Sequence, residues 1–458
     1  MYDAIVIGAG LSGLAAGIRL ATYDQRVCVL ERHTTIGGLN SFYRLGGRNY
    51  DVGLHAVTNY ARPGNRSGPL GKLLRQLRLR WEEFDLSPQV GSRVAFPGVS
   101  LEFNNDPELL LSQVHEHFPQ QTDRLRRLMR EVVDYDELEG LTATASARQT
   151  VAQIITDPLL REMLFCPIMF YGNPREHDME FGQFSILFRS IFLEGLARPA
   201  AGIRLILKAL VRRFKAAGGE LRLRSGVARI VVEANRAVRV VLENGEELAA
   251  RWILSSAGWL ETLRLCDDCS RVEPPRPGQL SFVESISVLH CQPRELGCDR
   301  TVVFYNDQPH FHWERPAELV DLRSGVICSP NNFLYAQPPA EGMLRITHLA
   351  NYDRWAALSP SEYRLAKLRW YDRSAAAAVR FVPEFRHAVV AVDMFTPTTI
   401  RRYTGHENGA VYGAPEKRRD GRTHLENLFL CGTDQGLVGI IGAILSGITV
   451  ANRYCLRP

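Results

Sequence analysis

Apolar, β-favouring residues run from Tyr2 to Ile7 and stop at Gly8, Gly10 and Gly13, which open a helical segment; a second apolar run at 26–30 ends on Glu31. Strand, glycine turn, helix and strand in this order predict a βαβ unit. Residues 203–217 interleave apolar and basic positions at helical spacing. Beyond them Gly219, Gly226, Asn244 and Gly245 punctuate short β-rich runs up to Ser255, which predicts a meander. A third block closes the chain, with an apolar strand at 427–430, a turn at 432–436 and a glycine-spaced apolar helix at 440–454.

Between these blocks the pattern changes. Residues 106–139 are charged with helical spacing, 154–210 are broadly apolar, and 279–371 are irregular and aromatic-rich. Distant blocks built in one style predict a discontinuous domain of residues 1–75, 203–260 and 395–458. The intervening 76–202 and 261–394 then form a second, mixed α+β domain. The longest nearly uncharged stretch, 436–451, is shorter than the roughly 20 apolar residues of a spanning helix, so no transmembrane helix is predicted.

Composition changes this picture only by exclusion. With 45% hydrophobic and 23% charged residues, the 458-residue chain suits compact domains rather than disorder. Its excess of +5 is spread along the sequence, so nucleic acid is not an expected partner. Nine scattered cysteines give no disulfide framework, and Met1 leads straight into a strand; both point to a reducing cytoplasm. Cys266 and Cys269 form one close pair, but no second pair or histidine pair is near in sequence. They read as free thiols, and no metal is expected.

The spacing Gly8-x-Gly10-x-x-Gly13 has a specific use: Gly8 permits a tight turn, Gly10 lets backbone approach a pyrophosphate, and Gly13 lets helix and strand pack closely. The helix N-terminus at Leu11 and Ser12 then offers unpaired N–H groups and partial positive charge to the anion. Glu31, eighteen residues after Gly13, is placed to accept hydrogen bonds from an adenosine ribose with a free 2′-hydroxyl. The fold class is therefore α/β, a Rossmann-like dinucleotide domain with a second domain beside it.

Arg32, the doublet Gly37-Gly38 with Leu39 and Asn40, and the block Asn49-Tyr50-Asp51-Val52-Gly53-Leu54-His55 come next. Here the chain resembles the FAD-dependent amine oxidase superfamily, and within it the phytoene-desaturase-type branch of carotenoid isomerases and retinol saturases. Thr396-Pro397-Thr398-Thr399-Ile400-Arg401, Tyr412-Gly413, and the stretch from Leu428 through Gly432 to Ser446-Gly447 are similar to that branch as well. The resemblance covers both ends of the chain and little of the middle. It implies FAD, bound non-covalently, with Gly8, Gly10, Leu11, Ser12, Gly13, Glu31, Arg32, Gly37, Gly38, Leu39, Asn40, Val227, Gly432, Thr433, Asp434, Gly439, Ile440 and Ile441 as the cofactor-binding set. One departure is local: the family's Gly-Asp turn is here Gly432-Thr433-Asp434, and the loop to Ser446 is about one residue shorter. The Thr433 hydroxyl and the N–H groups near Gly439 to Ile441 can serve instead. No second Gly-x-Gly-x-x-Gly follows, so a separate nicotinamide domain is not expected.

Flavin carries most of such chemistry, leaving the protein to position, charge and dry the site. The candidate catalytic residues are His55, which either orients substrate or flavin or packs structurally, and Arg401, which either stabilises charge on the reduced flavin or holds a loop. His310 and His312 would share a face if their run is a strand, without a third metal ligand. The aromatic and basic residues of 181–214 read either as core helices or as a peripheral membrane-facing surface. The resemblance implies desaturation, saturation or isomerisation of a hydrophobic polyene or isoprenoid. The alternatives are a hydroxysqualene-type oxidoreductase, an oxidase of small amines and a flavin-binding non-enzyme.

Overall fold

The computed structural model describes residues 1–135 and 145–456, so the end of the charged stretch expected at 106–139 lies outside the described residues. Strands Tyr2–Ile7, Val27–Leu30 and Glu220–Arg222 run parallel to one another. Ala4, Ile5 and Val6 are fully buried, the continuous apolar pattern that a parallel strand covered on both faces requires. Glu247–Ser255 joins two styles of pairing in this sheet. Its start pairs antiparallel with Arg236–Leu242, which pairs in turn with Val227–Glu233; its end lies parallel between Tyr2–Ile7 and Leu428–Leu430. The three separated sequence blocks thereby meet in one seven-stranded sheet. Helices Leu11–Ala21 and Gly439–Val450 pack tightly, because a Cβ at Gly447 would lie 2.0 Å from the Ser12 carbonyl oxygen.

The second sheet also has seven strands, in the order Val389–Phe395, Ser281–Leu289, Gly342–Ala350, Ser324–Cys328, Val302–Asn306, Ser92–Phe96 and Val99–Phe103. Four of them come from residues 279–371, which the sequence pattern marks as irregular. All nine residues of Ser281–Leu289 are buried, so the run lacks the alternation that announces a strand with one wet face. Helix Pro158–Gly172 lies against Ser92–Phe96 and Val302–Asn306 and closes a core with Phe181–Phe188.

Of the two readings of residues 181–214, that packing supports core helices. Phe184, Phe188, Ile191, Phe192, Ile206, Leu210 and Phe214 are at most 1% exposed, and the Phe188 and Phe192 ring centroids stand 5.0 Å apart. The interleaved cations serve the protein instead: Arg204 donates to the Tyr43 carbonyl at 2.9 Å, Arg213 to that of Leu77 at 3.1 Å, and Arg212 pairs with Glu83. Among the described residues no helix is long and apolar enough to cross a membrane.

Candidate active site

The first turn is built from glycines for three different reasons. Gly8 sits at φ +94°, a conformation that disfavours side chains, and its N–H donates to the Leu30 carbonyl at 2.8 Å. A Cβ at Gly13 would lie 2.0 Å from the Gly8 carbonyl oxygen. Gly10, by contrast, has nothing within 4 Å of its missing Cβ, and Gly38 meets only the Gly10 Cα, at 3.7 Å. Gly37 donates to the Ala9 carbonyl at 2.9 Å, so the two loops run side by side with their bare faces open. Helix Leu11–Ala21 has no side-chain cap, and neither has Gly439–Val450, whose first glycine meets only Thr58 Oγ1 at 3.9 Å. Open glycine faces between uncapped helix N-termini fit a dinucleotide diphosphate, because the unpaired N–H groups await an anion.

Glu31 is 7% exposed and already oriented. Ala9 N–H donates to its Oε2 and His33 N–H to its Oε1, both at 2.9 Å, which leaves further lone pairs of each oxygen for ribose hydroxyls. Ser225 donates to the Glu31 carbonyl at 2.8 Å and so brings Val227, at the start of its strand, to the same end of the sheet. Arg32 reaches the Arg402 carbonyl at 3.2 Å. Leu39 and Asn40 back the next segment, since a Cβ at Gly53 would stand 2.5 Å from the Leu39 carbonyl oxygen.

At the C-terminal turn the two neighbours of Gly432 divide their tasks. The Asp434 carboxylate is 2% exposed and accepts from Trp259 N–H at 2.6 Å and Ala414 N–H at 2.8 Å, with Lys417 Nζ at 3.6 Å. Thr433 is only partly buried, and its hydroxyl has no hydrogen-bond partner among the described residues. Thr433 is thus the free polar group of the shortened turn. Gly432 itself donates to Ser446 Oγ at 2.6 Å, which fixes the turn on the helix that carries Ile440 and Ile441.

His55 lies at a buried ionic cluster. Its Nε2 stands 3.0 Å from Glu284 Oε1 and 3.1 Å from Thr347 Oγ1. Glu284 accepts from Arg345 Nε at 2.5 Å, and Arg345, 1% exposed, also donates to the Leu54 carbonyl at 2.9 Å and the Val52 carbonyl at 2.5 Å. Arg198 donates to the Leu54 and His55 carbonyls and pairs with Asp51 at 2.5 Å. Two buried guanidiniums therefore clamp the backbone of residues 51–55. Burial pushes the Glu284 carboxyl up, but Arg345 and His55 beside it outweigh that and hold it at about 2. As a carboxylate Glu284 accepts the Nε2 proton, which leaves Nδ1, without a partner among the described residues, as the available nitrogen of His55.

Arg401, the other candidate, has contacts that suit the loop-holding alternative. Its side chain is 47% exposed, donates to Tyr352 Oη at 2.5 Å and lies 3.4 Å from Glu407, which lines an open polar cleft of about 840 Å³. His310 and His312 are in a loop rather than a strand, with ring centroids 4.7 Å apart. Sequence reasoning missed Glu284, Arg345, Thr347 and Arg198. A signal was present: Glu284 and Arg345 are each a lone charge inside an otherwise uncharged β run, a position that only a buried partner supports.

The profile described as flavin containing amine oxidoreductase matches residues 11–454. Prolycopene isomerase 2, chloroplastic, of an Oncidium hybrid cultivar is 23% identical over 502 residues, 99% of this chain and 83% of that protein. All-trans-retinol 13,14-reductase of Danio rerio is 23% identical over 531 residues, 98% of this chain and 85% of that protein. A solved triple mutant of putrescine oxidase shares the fold, with a TM-score of 0.66 at 16% identity over 98% of both chains.

Proposed function

The chain belongs to the family of flavin containing amine oxidoreductases and is an FAD-dependent oxidoreductase, and from that premise we propose that it acts on carbon–carbon double bonds of a hydrophobic polyene or isoprenoid. The observation that carries this reading is the apolar wall to which Ala56, next to His55 in the chain, and Cys328, whose thiol lies 3.8 Å from the His55 carbonyl oxygen, both belong. Ala56, Phe170, Phe282, Cys328 and Val438 belong to one apolar cluster, with Tyr412 packed on it and Phe282 and Tyr412 rings 5.9 Å apart. Such a wall binds by burial, at about 25 cal/mol per Å², and suits a substrate with few polar handles. The two relatives named for a carotenoid and a retinoid reaction support the same class.

The glycine turns, Glu31, Thr433 and the N-terminus of Gly439–Val450 would hold FAD, non-covalently. When bound, FAD supplies hydride acceptance or donation at N5. The chain's own residues supply what that leaves out. Adding, removing or shifting hydrogen on a double bond also moves a proton, and an apolar wall keeps water away. His55 Nδ1 is the group that gives or takes that proton, Glu284 fixes the ring through Nε2, and Arg345 and Arg198 keep the backbone in place.

The test is anaerobic incubation in D2O of the FAD-loaded protein, with flavin oxidised and separately reduced, against prolycopene, all-trans-retinol and putrescine. Conversion of a polyene with deuterium in the product is expected. Rapid flavin bleaching by putrescine with every polyene unchanged overturns the reading in favour of an amine oxidase.

A further inference from the structure

The tertiary structure brings His424 to the Cys266-Asp267-Asp268-Cys269 turn from more than 150 residues away. The Cys266 thiol, an Asp268 carboxylate oxygen and a His424 ring nitrogen all lie within 4.8 Å of one another, and His424 Nε2 is 3.1 Å from Asp268 Oδ1. A tetrahedral zinc ion with its usual sulfur, nitrogen and oxygen bonds holds ligand atoms roughly 3.2–3.7 Å apart. The His424–Asp268 spacing is already close to that, and the sulfur needs a shift of about an ångström.

Both ligand-bearing loops are fixed independently of any ion. Cys266 is 2% exposed, Asp267 N–H donates to the Ile230 carbonyl at 3.1 Å, and Val232 N–H donates to Asp267 Oδ1 at 3.0 Å. Cys269 N–H donates to the Cys266 carbonyl at 3.2 Å and closes the turn. On the other side Leu425, next to His424, is 3% exposed within the same apolar cluster as Cys266. The three donor atoms are thus brought together by backbone packing and not only by their own attraction.

We propose that Cys266, Asp268 and His424 form a binding site for one thiophilic divalent cation of the zinc type. One thiolate and one carboxylate neutralise a dication, and thiolate, imidazole and carboxylate together suit zinc better than calcium or magnesium. On binding, the Cys266 S–H bond breaks, its proton leaves to solvent, and the sulfur–metal bond replaces the hydrogen bond to the Thr262 carbonyl, now 3.5 Å. The fourth position falls to water, since the exposed Cys269 is not among the ligand atoms that meet there. The ion would join the loop after helix Trp259–Leu265 to the segment that leads into strand Leu428–Leu430, a structural clip away from the flavin turn.

The test uses the flavin-loaded full chain. After incubation with zinc and dialysis, elemental analysis should give about one zinc per chain, and cobalt should give a thiolate-to-cobalt charge-transfer band. His424→Ala, a change at an exposed residue, should weaken cobalt binding by more than about tenfold, as should Cys266→Ser, with flavin content unchanged in both. Cys269→Ser should keep the band. Zinc at background level with no cobalt–thiolate band overturns the proposal and leaves a histidine–aspartate hydrogen bond beside a buried thiol; the redox reading is untouched by that result.

Discussion

At the scale of single residues, the buried charges around His55 combine two demands that usually conflict. Two carboxylates, Glu284 and Asp51, and two guanidiniums out of water are expensive, and they persist because each has ionic or carbonyl partners within hydrogen-bonding distance. Removing one member should therefore cost more than removing a pair. Glu284→Gln is expected to lose about 3–5 kcal/mol by leaving Arg345 unpaired, and the double variant Glu284→Gln with Arg345→Met should recover part of it; denaturant titration of both decides. His55 has a different signature. His55→Gln should keep its flavin while turnover and deuterium incorporation fall by about 10²–10⁴, the range of a lost acid–base group.

At the scale of elements, the glycine turn separates folding from binding. A Cβ at Gly10 meets no protein atom within 4 Å, whereas one at Gly13 meets a carbonyl oxygen at 2.0 Å. Gly10→Val should then fold with the stability of the flavin-free wild type and purify colourless, because the valine fills the space meant for the diphosphate. Gly13→Val should fall below that stability by about 1–3 kcal/mol, since the turn itself must open. Thermal unfolding of the two variants beside flavin-stripped wild type checks the ordering; equal losses at both positions would show that the slot is not where the cofactor binds. The same logic explains the C-terminal turn, where Asp434 fastens backbone and Thr433 is left free.

At the scale of the whole molecule, stability should depend on acidity in two steps. His348, buried between the Ser324 carbonyl and Ser374, is held down at about 4 by burial, against an ordinary 6.5. The unfolded chain takes up that proton first, so stability falls as pH drops from about 6.5 towards 4. Glu284 sits at about 2 against 4.5, and its contribution, complete above 4.5, is lost as pH falls towards 2. Each unit between folded and unfolded values is worth about 1.4 kcal/mol. Melting temperatures across pH 7 to 3 should show both declines in the wild type, and His348→Gln should flatten the first while leaving the second.

The first strand, its glycine turn and helix, Glu31 and the closing strand–turn–helix are legible in the chain's own pattern, because they depend on local rules: period, turn conformation and the N–H groups that a helix start leaves open. The sequence also marked residues 49–55 as a site by resemblance, though not what holds them. Tertiary structure decided the rest. The strands of 279–371 are buried on both faces and show no alternation, so their pairing emerges only from the sheet. The aromatic run at 181–214 has one composition for a core and for a lipid surface, and only packing shows its large side chains buried, Phe184, Phe188 and Phe192 in the core of the second sheet and Ile206, Leu210 and Phe214 against helix Leu11–Ala21. Glu284 and Arg345 reach His55 from strands more than 200 residues away, and Arg198 reaches its carbonyl from more than 100. A buried charge can be tolerated only where the fold brings its partner, and that pairing is a property of three-dimensional contact that no local pattern records.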